Sequence, residues 1–244
     1  TPTAAVDPVA ANHSSRAGDY AYDLIRSEDY TRIYVEIDYI EGDNAPFEAS
    51  VESLVDMLDT LCDKPGGIIY EPETSDAIPR PTGSDGQPKA GYTYAEVNDL
   101  EKTWRDRYRQ GEEAVLYFLF VNGKYIDPDG NETSVIGFAH HGSSMAVFKG
   151  TVNQGLPTSS AFYEDSVMRH EVGHLLGLVT TGIPAVDESH VDPSEEARGS
   201  HCNNDKCLMH WSVGAESFIS SAISGQKLDF DQDCLDDVAA ARGN

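Results

Sequence analysis

The sequence predicts an α+β fold in which helices cover one mixed, mostly parallel and twisted sheet. Residues 114–121 are an unbroken apolar run of strand length, which is typical of a strand buried on both faces of a sheet. Residues 46–61 instead place apolar side chains at helical spacing. Segments of both kinds alternate along the chain, so we expect the strands to lie in a sheet with helices packed against it.

The other elements follow from local patterns. Residues 30–39 predict a strand because they are rich in β-branched and aromatic residues. We then expect, in chain order, a strand at 67–70, a proline- and glycine-containing loop at 79–91, a charged helix near 94–109, strands at 135–139 and 145–148, and a C-terminal helix at 229–242. Residues 1–18 are small and proline-containing and show neither pattern, so they predict a flexible linker.

Composition limits the classes of partner. The chain has 244 residues, of which 39% are hydrophobic, so it can bury a core. Its 17 basic and 42 acidic residues give a formal net charge of −25, and such a surface repels nucleic acid and anionic lipid. No apolar run approaches the ~20 residues of a membrane-spanning helix. We therefore expect no nucleic-acid partner and no membrane insertion, and we expect a monomer.

The most informative stretch is His170-Glu171-Val172-Gly173-His174. It places two imidazoles one turn apart on one helix face, as a pair of zinc ligands, with a carboxylate beside them. The opposite face carries an apolar stripe: Met168, Val172, Leu175 and Val179. Zinc held by neutral ligands keeps a position open for water and lowers its pKa toward about 7, while a nearby carboxylate can take the proton. The motif therefore predicts peptide hydrolysis with Zn²⁺ as the cofactor.

A catalytic zinc needs a third protein ligand, and the next histidines are His190 and His201. Residues 201–209 contain, in order, histidine and cysteine, four residues, cysteine, one residue and methionine. Together with residues 170–177, this pattern closely resembles the archaemetzincin branch of the metzincin metallopeptidases. Thr180 stands where the usual metzincin signature has its third histidine, so residues 178–200 resemble an insertion.

The resemblance implies roles for individual residues. His170, His174 and His201 would bind zinc, Glu171 would act as general base and acid, and Met209 would form the apolar floor beneath the metal without being a ligand. His190, inside the insertion, remains the alternative third ligand.

The resemblance also implies a metzincin-like architecture and an activity. Residues 19–244 would form a single catalytic domain, with an N-terminal subdomain at 19–177 that ends in the active-site helix and a small C-terminal subdomain at 178–244. An edge strand would offer backbone hydrogen bonds to an extended peptide. The implied function is a zinc-dependent endopeptidase acting on peptides or proteins. Two alternatives are a zinc hydrolase acting on a non-peptide amide and a non-catalytic zinc-containing binding protein, although a purely structural site has no need for Glu171.

The cysteines bear on the cellular compartment. In archaemetzincins a Cys-x-x-Cys pair after the methionine joins the two earlier cysteines around a second, structural zinc; here Asp231 stands three residues before Cys234, so the set is incomplete. We expect an exported protein, secreted or in the cell envelope, with disulfides joining Cys202 to Cys207 and Cys62 to Cys234. Free thiols or a degenerate metal site would favour a cytoplasmic protein.

Three other features predict ordinary structure. The insertion carries Asp187, Glu188, Asp192, Glu195 and Glu196; a solvated loop is expected there, although clustered carboxylates could also hold Ca²⁺. Residues 127–132 predict a turn between two strands. His140 and His141 follow a strand, where neighbouring side chains point to opposite faces, so at most one of them can line a cleft.

Overall fold

A computed structural model of the chain describes residue 14 and residues 16–72, 75–154, 157–194, 200–214 and 228–243. Its strands are β1 (Arg32–Ile40), β2 (Ile68–Tyr70), β3 (Asp76–Ile78), β4 (Gly91–Tyr92), β5 (Glu113–Val121), β6 (Lys124–Tyr125), β7 (Gly137–His140) and β8 (Ser144–Phe148). Its α-helices are α1 (Ala21–Ile25), α2 (Glu48–Leu61), α3 (Tyr94–Trp104), α4 (Lys149–Val152), α5 (Pro157–Leu175) and α6 (Gln232–Arg242). Short 3₁₀ turns lie at Glu188–His190 and Trp211–Gly214.

The main sheet has the strand order β2-β1-β5-β8-β7, and β3 also pairs with β1. Strands β4 and β6 form a separate two-stranded sheet. Every strand pair is parallel except β7 with β8, so β7 is an antiparallel edge strand. The predicted α+β fold with a mixed, mostly parallel sheet is confirmed.

The central strand β5 is buried along its whole length. Leu116 and Phe118 belong to the core that the sheet shares with α2 and α5. Tyr117 and Leu119 pack on the opposite face with Val97 of α3. Because alternate side chains of a strand point to opposite faces, helices cover both sides of the sheet, as the apolar run predicts.

Some predicted boundaries are wrong. The helix expected near residues 94–109 ends at Trp104. The carboxylate of Glu36, on β1, accepts hydrogen bonds from the backbone nitrogens of Asp106 at 2.6 Å and Arg107 at 3.0 Å, which holds the following chain in a non-helical path. The C-terminal helix begins at Gln232 rather than 229 because Asp231 is its N-cap.

The structure describes two of the predicted segments only in part. Residues 1–13 and 15 of the predicted linker, and residues 195–199 of the predicted insertion, lie outside the described residues.

The predicted turn at 127–132 is confirmed, since Asp127 Oδ1 accepts hydrogen bonds from the backbone nitrogens of Asp129 and Asn131 at 3.0 and 2.8 Å. Within the described ranges, no helix is both long enough and apolar enough to cross a membrane.

The chain after α5 is held by short backbone pairings. Val191 forms an antiparallel bridge with Cys202, and Cys202 a parallel bridge with His210. Asn203 donates its backbone N–H to the carbonyl oxygen of His190 at 2.8 Å. These contacts place residues 190–192 of the insertion beside residues 201–210.

Candidate metal centre

Helix α5 carries the first two histidines of the motif. The ring centroids of His170 and His174 are 4.9 Å apart, and both side chains are buried. Met168, Val172 and Leu175, three residues of the predicted apolar stripe, are fully buried in the main core; Val179 is also fully buried, but it lies beyond the end of α5 at Leu175, so its predicted place on the helix is wrong. The stripe therefore anchors the helix while the histidines face another part of the chain.

The chain reverses direction just after the helix. Gly177 has φ +80°, and a Cβ atom there would lie 2.7 Å from Cβ of Ala21. Glycine is the residue that fits both the backbone angle and the close approach. The turn directs the chain into the insertion, from which it returns with His201.

His201 completes a cluster of three imidazoles. Its ring centroid lies 5.3 Å from that of His170 and 5.0 Å from that of His174. One ligand nitrogen of each ring lies within 4.8 Å of the corresponding atoms of the other two. The structure thus brings together the three histidines of the predicted site and places His190 elsewhere.

The donor set fits a catalytic zinc. Burial, followed by the nearby His201, lowers the pKa of His170 from 6.5 to about 3, and burial also holds the pKa of His174 well below 6.5. Nδ1 of His170 lies 2.6 Å from the carbonyl oxygen of Leu208, so Nδ1 donates to it and Nε2 is available as a metal ligand. Three neutral imidazoles are the protein ligands of a zinc that keeps a fourth position open.

Glu171 lies on the same helix, and a backbone group of the edge strand holds its carboxylate. Oε2 of Glu171 accepts a hydrogen bond from the backbone nitrogen of Ala139, in β7, at 2.7 Å. Burial raises the pKa of Glu171 from 4.5 to about 7, although the Ala139 N–H opposes this shift. Sequence reasoning missed Ala139 because any residue except proline supplies a backbone N–H.

Met209 lies directly against the active helix. A Cβ atom on Gly173 would be 2.3 Å from Sδ of Met209 and 3.2 Å from Cε1 of Phe230. Gly173 stands between the two helix histidines in sequence, so the fully buried Met209 packs beneath the helix at the level of the cluster. This is the place predicted for an apolar floor.

His140, the last residue of β7, and His141, which follows it, contact groups outside the three-histidine cluster. Nε2 of His140 lies 3.6 Å from Oε2 of Glu101, and the ring nitrogens of His141 contact Ser14 O and Asn98 Oδ1. Glu101, His140 and His141 form a separate group of possible ligands. However, Arg105 Nη1 lies 2.8 Å from Glu101 Oε1, so that carboxylate is already paired with a cation.

The predicted disulfides are not present: all four cysteines are buried free thiols. Sγ of Cys234, predicted to pair with Cys62, instead lies 3.6 Å from Sγ of Cys207. Cys234, Cys202, Asp231 and His190 form a second group of possible metal ligands. The backbone pairing of residues 188–192 with 201–203, which sequence periodicity does not reveal, brings His190 there.

The fold is similar to those of two solved archaemetzincins. The archaemetzincin of Methanopyrus kandleri matches with a TM-score of 0.53 and 13% sequence identity, over 88% of this chain and 96% of that chain. The archaemetzincin of Archaeoglobus fulgidus, complexed with malonate, matches with a TM-score of 0.43 and 13% identity, over 84% and 99% of the two chains. No family model matches the sequence, and no curated protein matches it. The similarity to the Methanopyrus kandleri structure shows that this chain has the metzincin-like α+β fold of an archaemetzincin.

Proposed function

We propose that the protein is a zinc-dependent endopeptidase. The observation that carries the proposal is the convergence of His170, His174 and His201, together with the buried carboxylate of Glu171, which follows His170 on the same helix. Bound by three imidazoles, zinc would supply a Lewis acid and lower the pKa of a water molecule toward about 7. The metallopeptidase-like fold supports the same activity.

Glu171 is the proton carrier in this proposal. It is not part of the three-imidazole set, and its Oε2 is fixed by the Ala139 N–H at 2.7 Å. A carboxylate held in this way can accept a proton from the attacking water and return it to the leaving amine. A purely structural metal site would have no use for it.

The edge strand supports a peptide as the substrate. Phe148 donates its N–H to the carbonyl oxygen of Ile136, so the alternation of an antiparallel ladder turns the backbone groups of Gly137 and Ala139 away from β8. The N–H of Ala139 already binds Glu171, so an extended peptide can add to this edge through the backbone of Gly137 and the carbonyl of Ala139, next to Glu171. The net charge of −25 favours substrates with basic segments.

The test compares the full-length wild type with two variants on a diverse peptide library. Zinc-loaded wild type should cleave internal peptide bonds, and His201→Ala should lose the zinc of the three-histidine centre. Glu171→Gln should keep that zinc and the fold but lose about 10²–10⁴-fold in kcat, as general acid–base groups contribute. Comparable cleavage by wild type and Glu171→Gln would sink the mechanism. A zinc-loaded wild type that cleaves no peptide would refute the endopeptidase and favour a non-peptide amide substrate.

A further inference from the structure

Two histidines and a glutamate meet where the edge strand β7 ends beside helix α3. Glu101, His140 and His141 each offer one ligand atom, and these atoms lie within 4.8 Å of one another. The group shares no residue with the three-histidine centre. Glu101 is 0% exposed and His140 is 4% exposed. We infer that Glu101, His140 and His141 bind a zinc ion that ties the end of β7 to α3.

The backbone of His141 brings two neighbouring side chains to one side. Its φ is +54°, in the left-handed region that residues other than glycine rarely adopt. In a regular strand, consecutive side chains point to opposite faces. Here the rings of His140 and His141 lie together instead, with their centroids 4.8 Å apart. Backbone conformations of this kind cluster at functional sites, and this one supplies two imidazoles to one place.

The distance between His140 and Glu101 fits a shared metal better than a hydrogen bond. Nε2 of His140 lies 3.6 Å from Oε2 of Glu101, beyond the roughly 2.7–3.2 Å of an N–H···O hydrogen bond. Two ligand atoms that each lie about 2.0–2.1 Å from a tetrahedral zinc ion are about 3.4 Å apart. Arg105 and Ser144 contact the other oxygen, Oε1, at 2.8 and 2.6 Å, so Oε2 is the oxygen on the histidine side.

The ring of His141 is held as the ring of a metal ligand is held. Its Nδ1 lies 3.1 Å from the carbonyl oxygen of Ser14, to which it can only donate. A neutral imidazole that donates from Nδ1 keeps a lone pair on Nε2, and a carbonyl on one ring nitrogen is the usual support for a metal on the other. Oδ1 of Asn98 lies 3.0 Å from Nε2, near the place of a fourth ligand.

The surroundings of the group favour a cation. Burial and then the nearby carboxylates raise the pKa of Tyr117 well above 10; these carboxylates are those of Asp38, Glu101 and Glu36. All three acids are exposed by 5% or less. Arg105 forms an ion pair with Glu101 and so balances one of the three. A divalent ion would offset the negative charge that remains, because buried charge without a partner is costly.

The zinc would lie next to the backbone that holds the catalytic carboxylate of the proposed endopeptidase. His140 directly follows Ala139, whose N–H binds Oε2 of Glu171. An ion that fixes His140 therefore also fixes this part of β7. The site itself does not depend on the proposed activity, so its tests measure metal binding and backbone protection.

The first measurement is the zinc bound per chain by full-length protein after dialysis against a zinc buffer. His140→Gln, His141→Gln and Glu101→Gln should each bind one zinc fewer than wild type. His201→Ala should also bind one fewer, and its combination with His140→Gln two fewer, because two separate centres are removed. Ser144→Ala is the matched control, since it removes a contact to Oε1 of Glu101 but no ligand, and it should bind as much zinc as wild type. Wild-type zinc content in His140→Gln and His141→Gln would overturn the site.

Hydrogen exchange gives a second readout that locates the ion. In His201→Ala, zinc at ten times its Kd should slow backbone exchange at residues 98–104 and 138–141 by about tenfold. The double variant with His140→Gln should lack this protection. Zinc that slows exchange there equally in both proteins, or in neither, would refute the site and leave only an ion pair between His140 and Glu101.

Discussion

Oε2 of Glu171 lies 2.7 Å from the backbone nitrogen of Ala139, so the edge strand of the sheet holds the carboxylate that stands next to His170 of the candidate metal centre in sequence. The contact joins β7 to α5, and its strength depends on backbone geometry instead of side-chain identity. A substitution that removes only the N–H can therefore test what this contact contributes.

Ala139→Pro should lower kcat by about 10–100-fold while zinc content stays unchanged, since a hydrogen bond to a charged group contributes roughly 1.5–3 kcal/mol. Proline is tolerated on edge strands where the lost N–H points away from the ladder. Ala139→Ser keeps the N–H and is the control. Full activity of the proline variant would show that Glu171 does not depend on this bond.

Gly173→Ala should destabilise the protein by about 1–3 kcal/mol, because its Cβ would meet Sδ of Met209 at 2.3 Å. In an exposed helix, changing glycine to alanine stabilises the protein by about 1 kcal/mol. A net loss of stability in Gly173→Ala would therefore indicate the contact with Met209. Urea unfolding of the two single variants, Gly173→Ala and Met209→Ala, and of the double variant measures the coupling free energy between the two residues. The second substitution should recover part of the loss; additive losses would contradict the proposed contact.

Lys149→Met should cost about 3–5 kcal/mol, because it leaves the carboxylate of Glu164 buried without its ion-pair partner. Lys149 is 2% exposed and Glu164 is 0% exposed, and Oε1 of Glu164 also accepts the Phe47 N–H at 2.6 Å. Lys149→Met combined with Glu164→Gln should lose less, since no buried charge remains. The comparison is made by urea unfolding, and equal losses in the single and double variants would count against the argument.

Glu36 should make stability depend on pH. Burial raises its pKa from 4.5 to about 7, against the opposing effect of the N–H groups of Asp106 and Arg107. Because the folded pKa is the higher one, the protonated form favours folding; its stabilisation is complete below about pH 4.5 and is lost as pH rises through 7. Glu36→Gln should therefore gain stability relative to wild type between pH 5 and 8, by up to about 3 kcal/mol. Urea midpoints across this range test it, with the exposed Glu52→Gln as the control. A difference in stability between Glu36→Gln and wild type that does not change with pH would contradict the raised pKa of Glu36.

Sequence patterns locate the features that depend on local physics. The apolar run at 114–121 predicts a strand buried on both faces because alternate residues must point to opposite sides. The spacing of His170 and His174 places them on one helix face. The third histidine, His201, comes from a distant segment, and it is implied by the resemblance of residues 201–209 to archaemetzincins and not by local physics. The predicted location of the protein outside the cytoplasm is not tested by the fold and stays a prediction.

Features that depend on long-range contacts could not be predicted. Helix α3 ends early because Glu36, far away in sequence, binds the next two backbone nitrogens. His190 joins the cysteines because residues 188–192 pair with 201–203, and no local pattern shows how an insertion folds. The disulfide prediction failed for the same reason, because the partners of Cys234 are set by the packing of α6.

Neighbouring residues of the 201–209 segment face different clusters. His201 lies with the two helix histidines and Cys202 with the sulfurs; Cys207 lies with the sulfurs, and the carbonyl of Leu208 holds His170. The four residues between Cys202 and Cys207 therefore form a spacer of fixed length. Inserting or deleting one residue there would move His201 and Cys202 relative to Cys207 and Leu208, and the two clusters would be lost together.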